Sequence, residues 1–91
     1  MKFGIIGSGM IARFHAKAIE AMPGSELRSI YSRNAASSGA LGEEFGCQAF
    51  DDLDAFLADP ELEIVTIATP SGAHLEPSIA AARAGKHVIC E

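Results

Sequence analysis

A glycine-rich stretch close to the amino terminus separates two segments of different periodicity. Residues 7–12 read Gly-Ser-Gly-Met-Ile-Ala, which is a G-x-G-x-x-A pattern. Residues 2–6, before it, are short and mostly apolar, as in a strand. From Ile11 onwards the apolar residues recur every three or four positions, which is typical of a helix. The stretch therefore predicts a strand, a tight turn and a helix in immediate succession.

Each small residue of this turn has a physical role in binding a dinucleotide. Gly7 permits the tight bend, and Gly9, which has no Cβ, lets a pyrophosphate approach the backbone. Ala12 keeps the helix close to the strand. The first N–H groups of a helix are unpaired and stabilise an anion, so we expect Ser8, Met10 and the other turn residues to contact phosphate. The alternative is a glycine turn that binds no ligand.

The first helix carries an apolar stripe formed by Ile11, Phe14, Ala18 and Met22. We take the stripe to mark the inward side of the helix, and His15 shares that side. A hydrogen-bonded, half-buried histidine is the interpretation that we favour for His15, in preference to a ligand-binding one.

The remaining chain alternates strands and helices at regular spacing. We predict strands over 26–32, 47–50, 64–68 and 87–90. Helices are predicted from Ala35 to Phe45, around Leu53 to Leu57, and from the turn at 69–72 up to Ala84. Asn34 is a suitable N-cap for the second helix.

This β-α-β-α-β-α-β-α-β order predicts the α/β class, a doubly wound parallel sheet of the Rossmann type with strand order 3-2-1-4-5. In such a sheet ligands bind at the carboxyl ends of the strands, where the strand order reverses. Three loops meet there, at 7–11, 32–34 and 69–74.

The second of these loops bears on the choice of cofactor. An NAD site usually has Asp or Glu at the end of the second strand, where it binds the ribose 2′-hydroxyl. Here Ser32, Arg33 and Asn34 occupy that place, and Glu26 is at the wrong end of the strand. Arg33 offers a cationic fork to a 2′-phosphate and Ser32 a hydroxyl donor, which favours NADP over NAD. Alternatively, Arg33 is solvated or stacks on adenine without any demand for phosphate.

Composition excludes several classes of function. The net charge of the 91 residues is −5 and the seven basic residues are scattered, so we expect no nucleic-acid partner. No apolar run approaches the length of a membrane span, and no cluster suggests a metal site. The two cysteines, Cys47 and Cys90, are not in a C-x-x-C pattern and fit a reducing cytoplasm.

Three stretches resemble a known family, the glucose–fructose oxidoreductase, inositol dehydrogenase and MocA group of NAD(P)-dependent oxidoreductases. The glycine turn with His15 is similar to the family's opening loop and helix. The run from Asp59 to Pro70, ending Ile-Ala-Thr-Pro, resembles its "V-x-I-A-T-P" motif. His74 and the segment from Ala84 to Glu91 resemble "H…aGkHV-x-x-E-K-P". Ser71 departs from the family pattern, which often has Asn there.

The resemblance implies that Ala68, Thr69, Pro70, His74 and Glu91 belong to the cofactor site. For His74 a helix-capping role is an equal alternative. The intact protein would transfer hydride between the nicotinamide and a hydroxyl-bearing carbon of a sugar, cyclitol or other polyol.

The resemblance also bears on domain organisation. The family's catalytic lysine would follow Glu91, so we expect residues 1–91 to form an incomplete Rossmann domain without catalytic residues. The last strand and the substrate domain would be absent, and this chain alone would be inactive. Its uncovered fifth strand favours self-association, so we expect a homo-oligomer.

Two further functions remain open on the sequence. A non-catalytic NAD(P)-binding regulatory module would use the same scaffold. A methyltransferase that binds S-adenosylmethionine is disfavoured, because Ser32 stands where such an enzyme needs an acidic residue.

Overall fold

The computed structural model describes residues 1–69 and 75–90. The strands are β1 (Lys2–Ile6), β2 (Glu26–Tyr31), β3 (Gln48–Phe50), β4 (Ile64–Ile67) and β5 (His87–Cys90). The helices are α1 (Met10–Ala21), α2 (Ala35–Phe45), α3 (Leu53–Leu57) and α4 (Leu75–Arg83). The predicted bounds of β1, α2 and β5 are the observed ones, whereas β2, β4 and α4 end one residue earlier than predicted and β3 begins one residue later.

The five strands form one parallel sheet in the order β3-β2-β1-β4-β5, as predicted. β1 lies at the centre, between β2 and β4, so the order reverses at β1 and β4. This arrangement confirms the doubly wound α/β fold and places the glycine turn after β1 at the switch point.

Apolar clusters fill both faces of the sheet. On one face α1 and α2 pack against alternate residues of the strands, including Ile5, Ile30 and Ile64. On the other face Phe56 and Leu57 of α3 and Ala81 of α4 pack together with buried residues of β1 and β4. Burial on both faces explains why β4 is almost continuously apolar. In the described residues no helix is long and apolar enough to cross a membrane.

The prediction of α1 is right in its extent but wrong about which side meets the sheet. Ala12, Ala16 and Ile19 are the buried residues of the helix. The predicted stripe faces outwards instead, and Phe14 is 62% exposed. Small residues lie beneath α1 because a helix that follows a tight turn must approach the strand closely.

Asn34 caps α2 as predicted. Its Oδ1 accepts hydrogen bonds from the backbone N–H groups of Ala36, at 3.0 Å, and Ser37, at 3.2 Å. Gly46 ends this helix in the left-handed conformation. The cap fixes where the loop between β2 and α2 ends, and this loop borders the site.

Candidate cofactor site

Backbone hydrogen bonds hold the carboxyl ends of β1, β2 and β4 together. The N–H of Gly7 donates to the carbonyl of Tyr31 at 2.8 Å, and the N–H of Ala68 donates to the carbonyl of Ile6 at 2.8 Å. Gly7 has a φ of +127°, and a Cβ on it would lie 2.6 Å from the carbonyl oxygen of Ala68. Only glycine fits this turn, because a side chain there meets rigid backbone.

Gly9 differs from Gly7 in its surroundings. A Cβ built on it would have no atom of the described residues within 4 Å, so the position borders open space rather than packed protein. Its φ of −85° is accessible to any residue. The fold therefore tolerates a side chain at position 9. Such a side chain would, however, block a ligand that approaches this backbone from the open space.

The amino terminus of α1 is a suitable place for an anion. Among the described residues no side chain caps the helix, and its first turn contains no acidic residue. Gly9, Met10 and Ile11 of this terminus line the cleft at the carboxyl edge of the sheet, so the partial positive charge of the first helical N–H groups lies beside it. A pyrophosphate would supply the acceptors that Asn34 supplies to α2.

Ser32, after β2, is integrated into its own loop. Its Oγ accepts the backbone N–H of Asn34 at 2.9 Å and the hydroxyl of Ser8 at 3.1 Å, and it lies 3.0 Å from the carbonyl of Asn34. Ser32 is only 7% exposed. Its hydroxyl hydrogen is thus directed to the Asn34 carbonyl rather than to a ligand, which differs from the donor role expected from the sequence.

Arg33 is the exposed cation of this loop. It lines a cleft of about 680 Å³ that runs across the carboxyl edge of the sheet. The cleft brings together ten of the predicted site residues: Gly7, Ser8, Gly9, Met10, Ile11, Ser32, Arg33, Asn34, Ala68 and Thr69. The other three, Pro70, His74 and Glu91, lie outside the described residues, as does Ser71.

Sequence reasoning missed five residues that line the same cleft: Ile6, Tyr31, Leu53, Glu76 and Pro77. Tyr31 directly precedes Ser32 at the end of β2, so its position in the strand could have identified it. Leu53 has the pattern of a core residue. Only the packing of α3 beside β2 and β3 brings it to the cleft.

The surroundings of His15 and Cys47 indicate structural roles for both residues. The Nδ1 of His15 lies 2.7 Å from the Oγ1 of Thr66 in β4, which confirms the half-buried, hydrogen-bonded histidine. Burial, with the nearby negative charge of Glu20, raises the pKa of the Cys47 thiol to about 11. This cysteine is consequently a neutral thiol at physiological pH.

Comparison with known proteins identifies the family. The model of an oxidoreductase family with an NAD-binding Rossmann fold matches residues 1–91. The chain belongs to this family. Membership agrees with the glycine turn, the strand order and the cleft, and it makes this segment the family's NAD(P)-binding part.

Proteins of known name are similar to almost the whole chain. It is 36% identical over 91 residues to UDP-N-acetylglucosamine 3-dehydrogenase from Acidithiobacillus ferrooxidans, covering 100% of this chain and 28% of that protein. The structure of GenD2 from gentamicin A biosynthesis, in complex with NAD, superposes with a TM-score of 0.95 at 28% identity, covering 99% and 26%. Biliverdin reductase from Synechocystis, in complex with biliverdin and NADP+, gives a TM-score of 0.88 at 31% identity, covering 98% and 28%.

The chain spans about a quarter of the length of the curated relatives that it matches. About three quarters of each of those proteins therefore lies outside the matched part, and their activities involve that larger part as well.

Proposed function

We propose that this chain binds a nicotinamide dinucleotide along the carboxyl edge of its sheet. The pyrophosphate lies at the amino terminus of α1, the adenosine towards Arg33, and the nicotinamide towards Ala68 and Thr69. The observation that carries this proposal is the open space at Gly9 beside an uncapped helix terminus. In the same cleft Gly7 is held in a turn that only glycine can adopt.

The loop after β2 favours NADP over NAD. No carboxylate stands at position 32, so nothing there repels a 2′-phosphate. Arg33 is exposed at the cleft, and a guanidinium group binds phosphate through two parallel hydrogen bonds. Ser32 supports this role by fixing the loop through Ser8 and Asn34.

The variant Arg33→Ala tests the preference. A charge-assisted hydrogen bond contributes about 1.5–3 kcal/mol, so NADPH affinity should fall roughly tenfold to a hundredfold while NADH affinity changes little. Calorimetric titration of both cofactors measures this, with Lys17→Ala as the control because Lys17 is an exposed cation of α1 that does not line the cleft. An equal loss for NADH and NADPH would assign Arg33 to the adenine ring instead.

For the protein as a whole we propose hydride transfer between the nicotinamide and a hydroxyl-bearing carbon of a sugar, cyclitol or related polyol, in the cytoplasm. The support is the dehydrogenase relative that is named for a nucleotide sugar. The structures of that dehydrogenase and of the biliverdin reductase both superpose on this chain with a TM-score of 0.88, which supports placing substrate choice in other parts of these proteins. We place substrate binding and proton transfer outside residues 1–91.

Two assays test whether substrate binding and proton transfer lie outside residues 1–91. The 91-residue chain should show no NADPH oxidation or NADP reduction with any member of a polyol and sugar panel, since general acid–base catalysis alone contributes about 10²–10⁴-fold in rate. The complete polypeptide should turn over at least one member of the panel. Turnover by the short chain would show that the catalytic groups lie within it.

A further inference from the structure

The side chain of Ser8 connects the glycine turn to the loop that follows β2. Its hydroxyl oxygen lies 3.1 Å from the Oγ of Ser32, although the two residues are 24 positions apart in the sequence. This bond supplements the backbone bond from the N–H of Gly7 to the carbonyl of Tyr31. The two parts of the cleft that a dinucleotide would contact separately are therefore joined by hydrogen bonds within the protein.

The other hydrogen bonds of Ser32 determine the direction of this one. A serine hydroxyl has one hydrogen to donate and two lone pairs that accept. The Oγ of Ser32 donates to the carbonyl of Asn34 at 3.0 Å and accepts the N–H of Asn34 at 2.9 Å. One lone pair then remains, and Ser8 is its donor. The hydroxyl hydrogen of Ser8 is thus engaged within the protein rather than directed to a phosphate oxygen.

The same bonds fix the backbone on either side of Arg33. Both polar backbone groups of Asn34 are bound to one buried oxygen atom, that of Ser32, so Arg33 lies within a closed loop. The N–H of Ser32 also donates to the carbonyl of Phe50 in β3, at 3.2 Å. Because Ser8 ties this loop to the glycine turn, it influences how far Arg33 lies from the amino terminus of α1.

That distance matters for a ligand with two anionic groups. The covalent structure of NADPH limits the separation of its pyrophosphate and its 2′-phosphate, and both would contact the protein at once. A guanidinium group binds phosphate through a planar fork, which requires the correct orientation as well as the correct distance. A loop that is already ordered also lowers the entropic cost of binding. NADH has no 2′-phosphate, so its binding does not depend on this placement.

We propose that Ser8 is a positioning residue for NADPH. Through Ser32, its hydroxyl holds Arg33 at the distance from the glycine turn that the 2′-phosphate requires. The inference rests on the proposed function, that the cleft binds a nicotinamide dinucleotide, and adds a residue that acts on cofactor choice without donating to the ligand.

A double-mutant cycle in the 91-residue chain tests the proposal by calorimetric titration. Ser8→Ala should weaken NADPH binding roughly two- to tenfold, the usual effect of one lost hydrogen bond, and leave NADH binding nearly unchanged. In an Arg33→Ala background the same change should have no further effect on NADPH binding, because its effect passes through the guanidinium group. Ser8→Thr retains the hydroxyl and should bind both cofactors like the unaltered chain. The control is Ser25→Ala, since Ser25 is a half-buried serine just before β2 that does not line the cleft.

Amide hydrogen exchange of the ligand-free chain separates this proposal from the proposed function. Ser8→Ala should speed exchange of the Asn34 N–H roughly two- to tenfold, because this N–H donates to the Ser32 oxygen that Ser8 holds. Ser8→Thr should restore the slower rate. If the unaltered chain binds neither cofactor, the proposed function is wrong, whereas faster exchange at Asn34 in Ser8→Ala would still support the link from Ser8 to this loop.

Three results would overturn the proposal. An equal loss of NADH and NADPH affinity in Ser8→Ala would place the hydroxyl on the pyrophosphate instead. A loss of NADPH affinity that persists in full in the Arg33→Ala background would contradict a route through Arg33. Unchanged exchange at Asn34 in Ser8→Ala would show that Ser8 does not hold the loop.

Discussion

Gly9 is the residue at which ligand binding and folding separate most clearly. A side chain there projects into open space and its backbone conformation suits any residue. Gly9→Val should therefore leave the far-ultraviolet circular dichroism and the melting temperature nearly unchanged while it abolishes dinucleotide binding in calorimetric titration. Gly39→Ala is the matched control, because Gly39 also borders open space but lies in α2 outside the cleft. Tight binding by a folded Gly9→Val variant would move the cofactor away from this turn.

Ser32 offers a way to reverse the choice of cofactor. A carboxylate at this position could accept the N–H of Asn34 and the hydroxyl of Ser8, as the serine oxygen does, and present its second oxygen to the ribose diol. Ser32→Asp should raise the affinity for NADH relative to NADPH by about tenfold or more, since the carboxylate repels the 2′-phosphate. Ser32→Asn has nearly the same shape without the charge and should not produce the switch. Equal changes for both cofactors in Ser32→Asp would place the 2′ position elsewhere.

Among individual residues of the cleft, the sequence predicts those that lie on the loops following strands. Gly7, Gly9 and Arg33 are found because a strand pattern fixes where each strand ends. Leu53 and Glu76 are missed because they reach the cleft from α3 and α4 through tertiary packing. The role of Ser32 depends on hydrogen bonds to Ser8, which is distant in sequence.

Among the elements, β2 contains a β-bulge, and the bulged residue links the amino-terminal edge of the sheet to the connection that precedes β4. Phe3 pairs with Leu27 and Gly4 with Ser29, so Arg28 is an extra residue of a bulge. Its guanidinium group binds the carboxylate of Asp59, which lies in the connection between α3 and β4. The hydrogen bond from Arg28 holds the pKa of Asp59 below its ordinary value.

The lowered pKa makes part of the stability depend on pH. The carboxylate stabilises the fold above the ordinary Asp pKa of 3.8, and this contribution is lost as the pH falls below that value through the folded-state pKa. Asp59→Asn should lower the free energy of unfolding at pH 7 and flatten its decline in acid. Urea unfolding over a pH series measures both quantities. The exposed Asp51→Asn serves as a control for charge, and an unchanged acid profile in Asp59→Asn would remove the carboxylate from this account.

Helix α1 illustrates what periodicity can and cannot predict about an element. The spacing of Ile11, Phe14 and Ala18 gives the helix correctly, because apolar residues that recur every three or four positions follow the period of a helix. It does not tell which side of the helix packs against the sheet. Ala12 and Ala16 are on the sheet side because they are small, and hydrophobicity alone ranks them below Phe14.

For the whole molecule, the order of elements determines most of the architecture. Right-handed crossovers and alternating strands and helices leave few topologies, and the one observed, β3-β2-β1-β4-β5, is the one predicted. That topology brings the ends of β1, β2 and β4 to one edge whatever the details of side-chain packing. The location of the cleft was therefore predictable, whereas its lining by residues of α3 and α4 depends on tertiary packing that the sequence pattern does not give.

The central claim is that a dinucleotide lies across this edge with its pyrophosphate at Gly9. Titration of the isotope-labelled chain with NADPH, followed by amide chemical-shift changes in NMR spectra, tests it most directly. We predict the largest changes at residues 7–11, 32–34 and 68–69. The amino-terminal edge around Arg28 and Asp59 should remain unaffected. Saturable binding with its largest changes at that opposite edge, or no change at residues 7–11, would contradict the account.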